Sequence, residues 1–149
     1  MPTHGFRLGQ VLEHRRRIEE QRELALQQLL AAEDAQRREV EALCARLDAH
    51  LAATPEATRG VVAAADLEAA SLFVTRLQAQ LVEERARLAE RTSDVEAGRA
   101  ALREALQERR ALELLQERQE SAARLEADRR EMRAIDDLNA ARFEPGGRA

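Results

Sequence analysis

Apolar residues recur at steps of three and four along most of this chain, and polar residues fill the positions between them. One stripe runs Val11, Ile18, Ala25, Leu29, Ala32, Val40, Leu43, Leu47 and Leu51. It holds heptad spacing apart from one extra step of four between Gln36 and Val40, which reads as a stutter. Arg15, Arg22 and Gln36 stand where apolar residues are expected. A second stripe is more regular. Leu67, Val74, Leu81, Leu88, Val95 and Leu102 lie one heptad apart, with Ala70, Leu77, Gly98 and Ala105 between them. Glu84 and Arg91 weaken its middle. After Leu102 the register reads as slipping, through Leu106, Leu112, Leu115, Ala122, Leu125, Met132, Ile135 and Leu138. Opposite charges four residues apart line the outer faces: Glu13 with Arg17, Arg37 with Glu41, Glu83 with Arg87, Glu120 with Arg124 and Glu126 with Arg130. Each such pair contributes about 0.2–0.5 kcal/mol to a helix.

Between the stripes lies AATPEATRG, residues 52–60. Thr54 before Pro55 and Glu56 has the form of an N-cap with proline in the first turn. Gly60 tolerates positive φ, and Asp66 before Leu67 offers a second N-cap. So short a break between two amphipathic helices favours antiparallel neighbours. The pattern predicts an all-α fold: two long helices in an antiparallel coiled-coil hairpin, the C-terminal helix longer and overhanging. The expected layout is one coiled-coil domain over 1–149, with helix 1 at about 6–51, a turn at about 52–64, helix 2 at about 65–143 and a disordered tail at 144–149. One long parallel dimer with a kink is the rival arrangement.

The arms are unequal. About 46 residues give about 70 Å of helix, and residues 65–143 give about 120 Å. Folding back at the turn pairs the first arm with about residues 65–108 and leaves about 35 residues over. A lone solvated helix is polar all round, yet Leu112, Leu115, Leu125, Met132, Ile135 and Leu138 keep a stripe there. That stripe predicts a partner outside the chain, or self-association.

Composition supports helices over a globular core. The chain has 149 residues, of which 35% are charged, with three Phe, no Tyr and no Trp. Every basic residue is Arg. The 24 basic and 28 acidic residues nearly cancel, leaving a net charge of −4, so nucleic acid is not an expected partner. No signal-peptide-like or membrane-spanning apolar run appears. With Cys44 as its single cysteine, the chain reads as cytoplasmic.

No catalytic constellation is present. His4, His14 and His50 are scattered, and no phosphate loop or metal motif occurs, so no catalytic residue, cofactor or metal is expected. Cys44 reads as a small hydrophobe at the seam. A two-helix pairing offers no concave, desolvated pocket, so the chain reads as a non-enzyme. Phe73, one residue before the heptad position Val74, either flanks the seam or stands out as a partner contact.

Three segments carry a family resemblance: FRLGQVLEHRRRIEEQRELALQQLLAAE at the start, LFVTRLQAQL after the break, and ERQESAARLEADRREMRAIDDLNAARF near the end. Together they resemble the FliJ family of flagellar type III export proteins, whose injectisome counterpart YscO looks similar. The resemblance spans nearly the whole chain. It implies a non-enzymatic, central-stalk-like adaptor that promotes assembly of a FliI-like export ATPase hexamer, contacts an FlhA-like export gate and escorts export chaperones. It also implies peripheral association with the cytoplasmic face of the inner membrane. By position it places ATPase-ring binding at Leu125, Met132, Ile135, Asp136 and Arg142, with Phe6 and Arg7, and export-gate binding at Leu43, Leu47, Phe73 and Leu77. The alternative function is a structural coiled-coil scaffold or a stalk subunit of a rotary ATPase.

Overall fold

The computed structural model describes residues 3–57, Gly60 and 63–143, and the side chains of 7–53, Gly60 and 63–143. Two helices account for nearly all of them: α1, Thr3–Ala57, and α2, Ala64–Phe143. No strand occurs among the described residues. The fold is all-α, and the second helix is the longer. The segment 144–149, expected to be disordered, lies outside the described residues.

The break is narrower than the sequence suggests. α1 does not end at Leu51 but continues through Pro55 to Ala57. Proline removes one backbone donor from a helix, but Ala52, Ala53, Glu56 and Ala57 are strong helix formers and carry the helix past it. Thr54 therefore lies inside α1 and does not begin a helix. On the far side, the Ala63 carbonyl accepts hydrogen bonds from the backbone N–H groups of Asp66 (3.0 Å) and Leu67 (3.3 Å). Ala63, rather than Asp66, thus holds the capping position. Asp66 sits inside the first turn of α2, where its carboxylate faces the positive end of the helix dipole. No described glycine has positive φ, so Gly60 is not needed for a left-handed turn.

The chain divides into two compact units, Ile18–Ala105 and Met1–Arg17 with Leu106–Ala149. In the unit Ile18–Ala105, α1 and α2 run antiparallel. Leu26 and Leu29 pack on Gly98, Glu33 meets Thr92, Gln36 meets Glu84, and His50 meets Phe73. Val40, Leu43, Leu77 and Leu81 form a buried cluster, with Cys44, Leu47 and Leu88 packed against it. Val95 is buried almost completely. In the other unit, Leu12 is buried, and Arg15 pairs with Glu108 and Arg16 with Glu113.

The register of α1 differs from the apolar count. Leu12 is buried and its neighbour Val11 is half exposed. Leu26 is partly covered and Ala25 is exposed. Glu33 is buried while Ala32 is only partly so. With Glu33 in the seam, the spacing from Leu29 through Gln36 to Val40 alternates four and three, and the stutter disappears. Nor does α2 slip after Leu102. Ala105 is buried, Leu106 is exposed, and the partly covered positions continue as Arg109, Leu112 and Gln116. Two surface pairs also choose other partners, with Arg37 on Glu33 and Arg87 on Glu84.

Candidate interaction surfaces

The covered part of α2 ends at Gln116, and every residue from 117 to 143 is exposed. Just before that boundary, Glu113 gathers three arginines. Its Oε1 accepts from Arg109 at 2.7 Å, Arg110 lies 3.5 Å from its Oε2, and Arg16 reaches Oε1 from α1 at 3.7 Å. The Arg109 hydrogen bond, opposed in part by desolvation and aided by the charges of Arg109 and Arg110, holds the carboxyl below its ordinary range. Arg16, through Glu113, and Arg15, through Glu108, fasten α1 to α2 up to this point.

Beyond Gln116, helix geometry sorts the exposed side chains. Leu125 and Met132 lie seven residues apart and so share a face, and Phe143 lies five turns beyond Leu125 on that same face. Ile135 sits at one edge of the face and Asp136 close to its centre. Leu125, Met132, Ile135 and Phe143 are 52%, 62%, 46% and 86% exposed. Asp136 and Arg142 are exposed as well. These positions on α2 are all exposed; Leu125, Met132 and Asp136 share one face, while Ile135 lies at its edge and Arg142 about 100° around the helix from Leu125. Arg7 is exposed on α1, and the Phe6 side chain lies outside the described residues.

The gate-binding group does not form one surface. Leu43 and Leu77 are buried members of the inter-helix cluster, and Leu47 packs against it. Burying a leucine side chain is worth about 1.5–3 kcal/mol, so these residues hold the helices together and are not open for contact. Phe73 is the accessible member. It is 40% exposed, and its ring tilts at 56° against His50 with centroids 4.8 Å apart. A shallow groove beside this pair, lined by Leu51, Leu67, Ala70 and Val74 with His50, was not foreseen. The signal was present in Leu51 and Leu67. They end the two stripes next to the break, where the seam covers them incompletely.

Cys44 is half-buried, with Arg85 Nη2 3.7 Å from its Sγ. Among the described residues, no group of three His, Cys, Asp or Glu is placed to hold a metal ion. No described helix is long and apolar enough to cross a membrane.

Compared with known proteins, residues 4–148 match the family described as Flagellar FliJ protein. No curated protein and no solved structure matches the chain.

Proposed function

The chain belongs to the flagellar FliJ family and is a flagellar export-related protein; from this premise we propose that it serves as a non-enzymatic, stalk-like adaptor of the export apparatus. In this reading it acts in the cytoplasm, against the inner-membrane face of the apparatus. The uncovered stripe of Leu125, Met132 and Ile135, flanked by Asp136 and Arg142, inserts into a FliI-like ATPase hexamer and promotes its assembly. Arg7 and Phe6 at the start of α1 contribute from the other helix. Phe73 contacts an FlhA-like gate protein, with the Leu51–Leu67 groove beside it. Export chaperones are a third class of partner.

The observation that carries the reading is the run of exposed apolar side chains on α2 after Gln116. An apolar stripe kept on a helix with no intrachain cover is the form of a helix that docks into another protein. The test is the ATPase rate of a purified FliI-like enzyme with and without the full chain, and with Leu125→Asp plus Met132→Asp. The reading expects stimulation by the wild type that the double variant loses. No stimulation and no co-purification would favour the structural scaffold.

A further inference from the structure

Two polar contacts cross the helix pairing of the unit Ile18–Ala105, Gln36 with Glu84 and Glu33 with Thr92, about two turns apart on α2. Glu33 is buried, Gln36 and Glu84 are partly buried, and Thr92 is exposed. Gln36 donates both amide protons to Glu84, one to the carboxylate Oε2 at 2.5 Å and one to the backbone carbonyl at 3.2 Å. The other Glu84 oxygen accepts from Arg87 at 2.7 Å. Thr92 Oγ1 stands 2.9 Å from Glu33 Oε1 and 3.0 Å from the Leu88 carbonyl, so its single hydroxyl proton serves two acceptors. The same Glu33 oxygen takes Arg37 at 3.3 Å. Apolar layers lie on both sides: Leu26, Leu29, Val95 and Gly98 on one, and Val40, Leu43, Leu77 and Leu81 on the other.

We infer that Glu33, Gln36, Glu84 and Thr92 form a register lock that selects one alignment of α1 on α2 against the neighbouring heptad alignments. The argument is one of exclusion. The leucine layers alone repeat every seven residues, so a slide of one heptad would bring leucine back against leucine. The polar contacts do not repeat. A slide of one heptad in one sense carries Gln36 from Glu84 to Arg91 and brings Glu84 against Leu43 and Thr92 against Val40, so carboxylate and hydroxyl lose their partners. A slide in the other sense carries Gln36 to Leu77 and brings Glu84 against Leu29 and Thr92 against Leu26. A buried polar group without a partner costs about tenfold or more in population, and each slide leaves at least two groups without their partners. Removing the polar groups from both helices together leaves an apolar seam of similar volume, which folds as well or better. The lock therefore sets specificity rather than stability. Single buried polar positions that fix register are the best-attested use of such groups. This inference does not depend on the adaptor reading.

The test is disulfide trapping in the full chain carrying Cys44→Ser, in a glutathione buffer that lets bonds equilibrate. A Cβ on Gly98 would lie 4.0 Å from Leu26 Cα, so Leu26→Cys with Gly98→Cys reports the observed register. Leu26→Cys with Arg91→Cys, and with Ala105→Cys, report the two slides. In the otherwise wild-type chain only the first pair closes within one chain. With Glu33→Leu, Gln36→Leu, Glu84→Leu and Thr92→Val added, the slid pairs rise about tenfold or more, with helical circular dichroism retained. The lesser variant Gln36→Leu with Glu84→Leu raises them in the same direction and guards against misfolding of the fourfold one. Slid pairs that stay at the wild-type level in a helical variant overturn the inference, as do slid pairs that close freely in the wild type.

Discussion

Gly98 of α2 and Leu29 of α1 approach so closely that a Cβ on Gly98 would stand 2.9 Å from Leu29 Cδ1 and 3.3 Å from Leu26 Cδ1. Glycine in a helix interior costs about 1 kcal/mol relative to alanine. Here that cost accompanies a close contact between the helices. Gly98→Ala regains the propensity and loses a similar amount by displacing the ends of two flexible leucines, so the net change in stability is within about 1 kcal/mol. In a Leu29→Ala background the closer of the two contacts is gone and only the movable end of Leu26 remains, so Gly98→Ala stabilises by about 0.5 kcal/mol. Denaturant melts of the four proteins give the coupling directly.

Gly9 is the contrasting case. It lies within α1, and a Cβ there would meet nothing within 4 Å. Gly9→Ala raises stability by about 0.5–1 kcal/mol. An unchanged or lowered melting midpoint would show that the start of α1 is not helical in solution.

Val95 is 1% exposed, whereas Leu138 is 65% exposed. Val95→Ala lowers stability by about 1–2 kcal/mol, through lost burial and a small cavity. Leu138→Ala stays within about 0.5 kcal/mol although it removes more carbon. Thermal melts of both variants separate seam from surface.

Glu113 makes stability depend on pH. Its carboxyl is held below the ordinary value of 4.5 by the Arg109 hydrogen bond first and by the other arginine contacts after it. The stability it adds is therefore fully present above pH 4.5 and is lost as pH falls through the lower folded value. Glu113→Gln melts below the wild type at neutral pH, and the two melts converge in acid. Because Glu113 is only partly covered and Arg16 and Arg110 are exposed, the gap is small and shrinks in high salt.

Truncation separates folding from docking when it falls in the right place. A cut at residue 110 would remove Leu112, Glu113 and Gln116, which the pairing covers. Ending the chain after Gln116 removes, among the described residues, only exposed ones. The melting midpoint of that protein stays within a few degrees of the full chain, while stimulation of the FliI-like ATPase is lost. Retained stimulation would place the docking stripe elsewhere.

The sequence made the second helix readable because its heptads are leucine and valine with few competitors. Ala70, Val74, Leu77, Leu81, Leu88, Val95, Gly98 and Leu102 all lie in the covered face. The first helix was misread where two adjacent apolar residues compete, as at Val11 and Leu12, or where the seam residue is polar. A count of apolar residues skips Glu33, and only its cross-helix partner Thr92 and its own helix partner Arg37 explain its burial. Thr54 and Pro55, read as the start of a helix, lie within α1 because propensity on both sides outweighs one lost hydrogen bond. At the candidate surfaces, the stripe of Leu125, Met132 and Ile135 was legible from spacing and arm length. The division among Leu43, Leu47, Phe73 and Leu77 was not, because resemblance by position does not say which face of a helix meets its neighbour.

The polar contact of Gln36 with Glu84 also acts as a ruler. α1 and α2 each run without interruption through the unit Ile18–Ala105, so the alignment fixed at that level decides which side chains face each other throughout it. One heptad of slide would displace every facing pair by seven residues, about 10 Å of helix. A single hydrogen-bonded amide thus sets the partner of leucines several turns away from it.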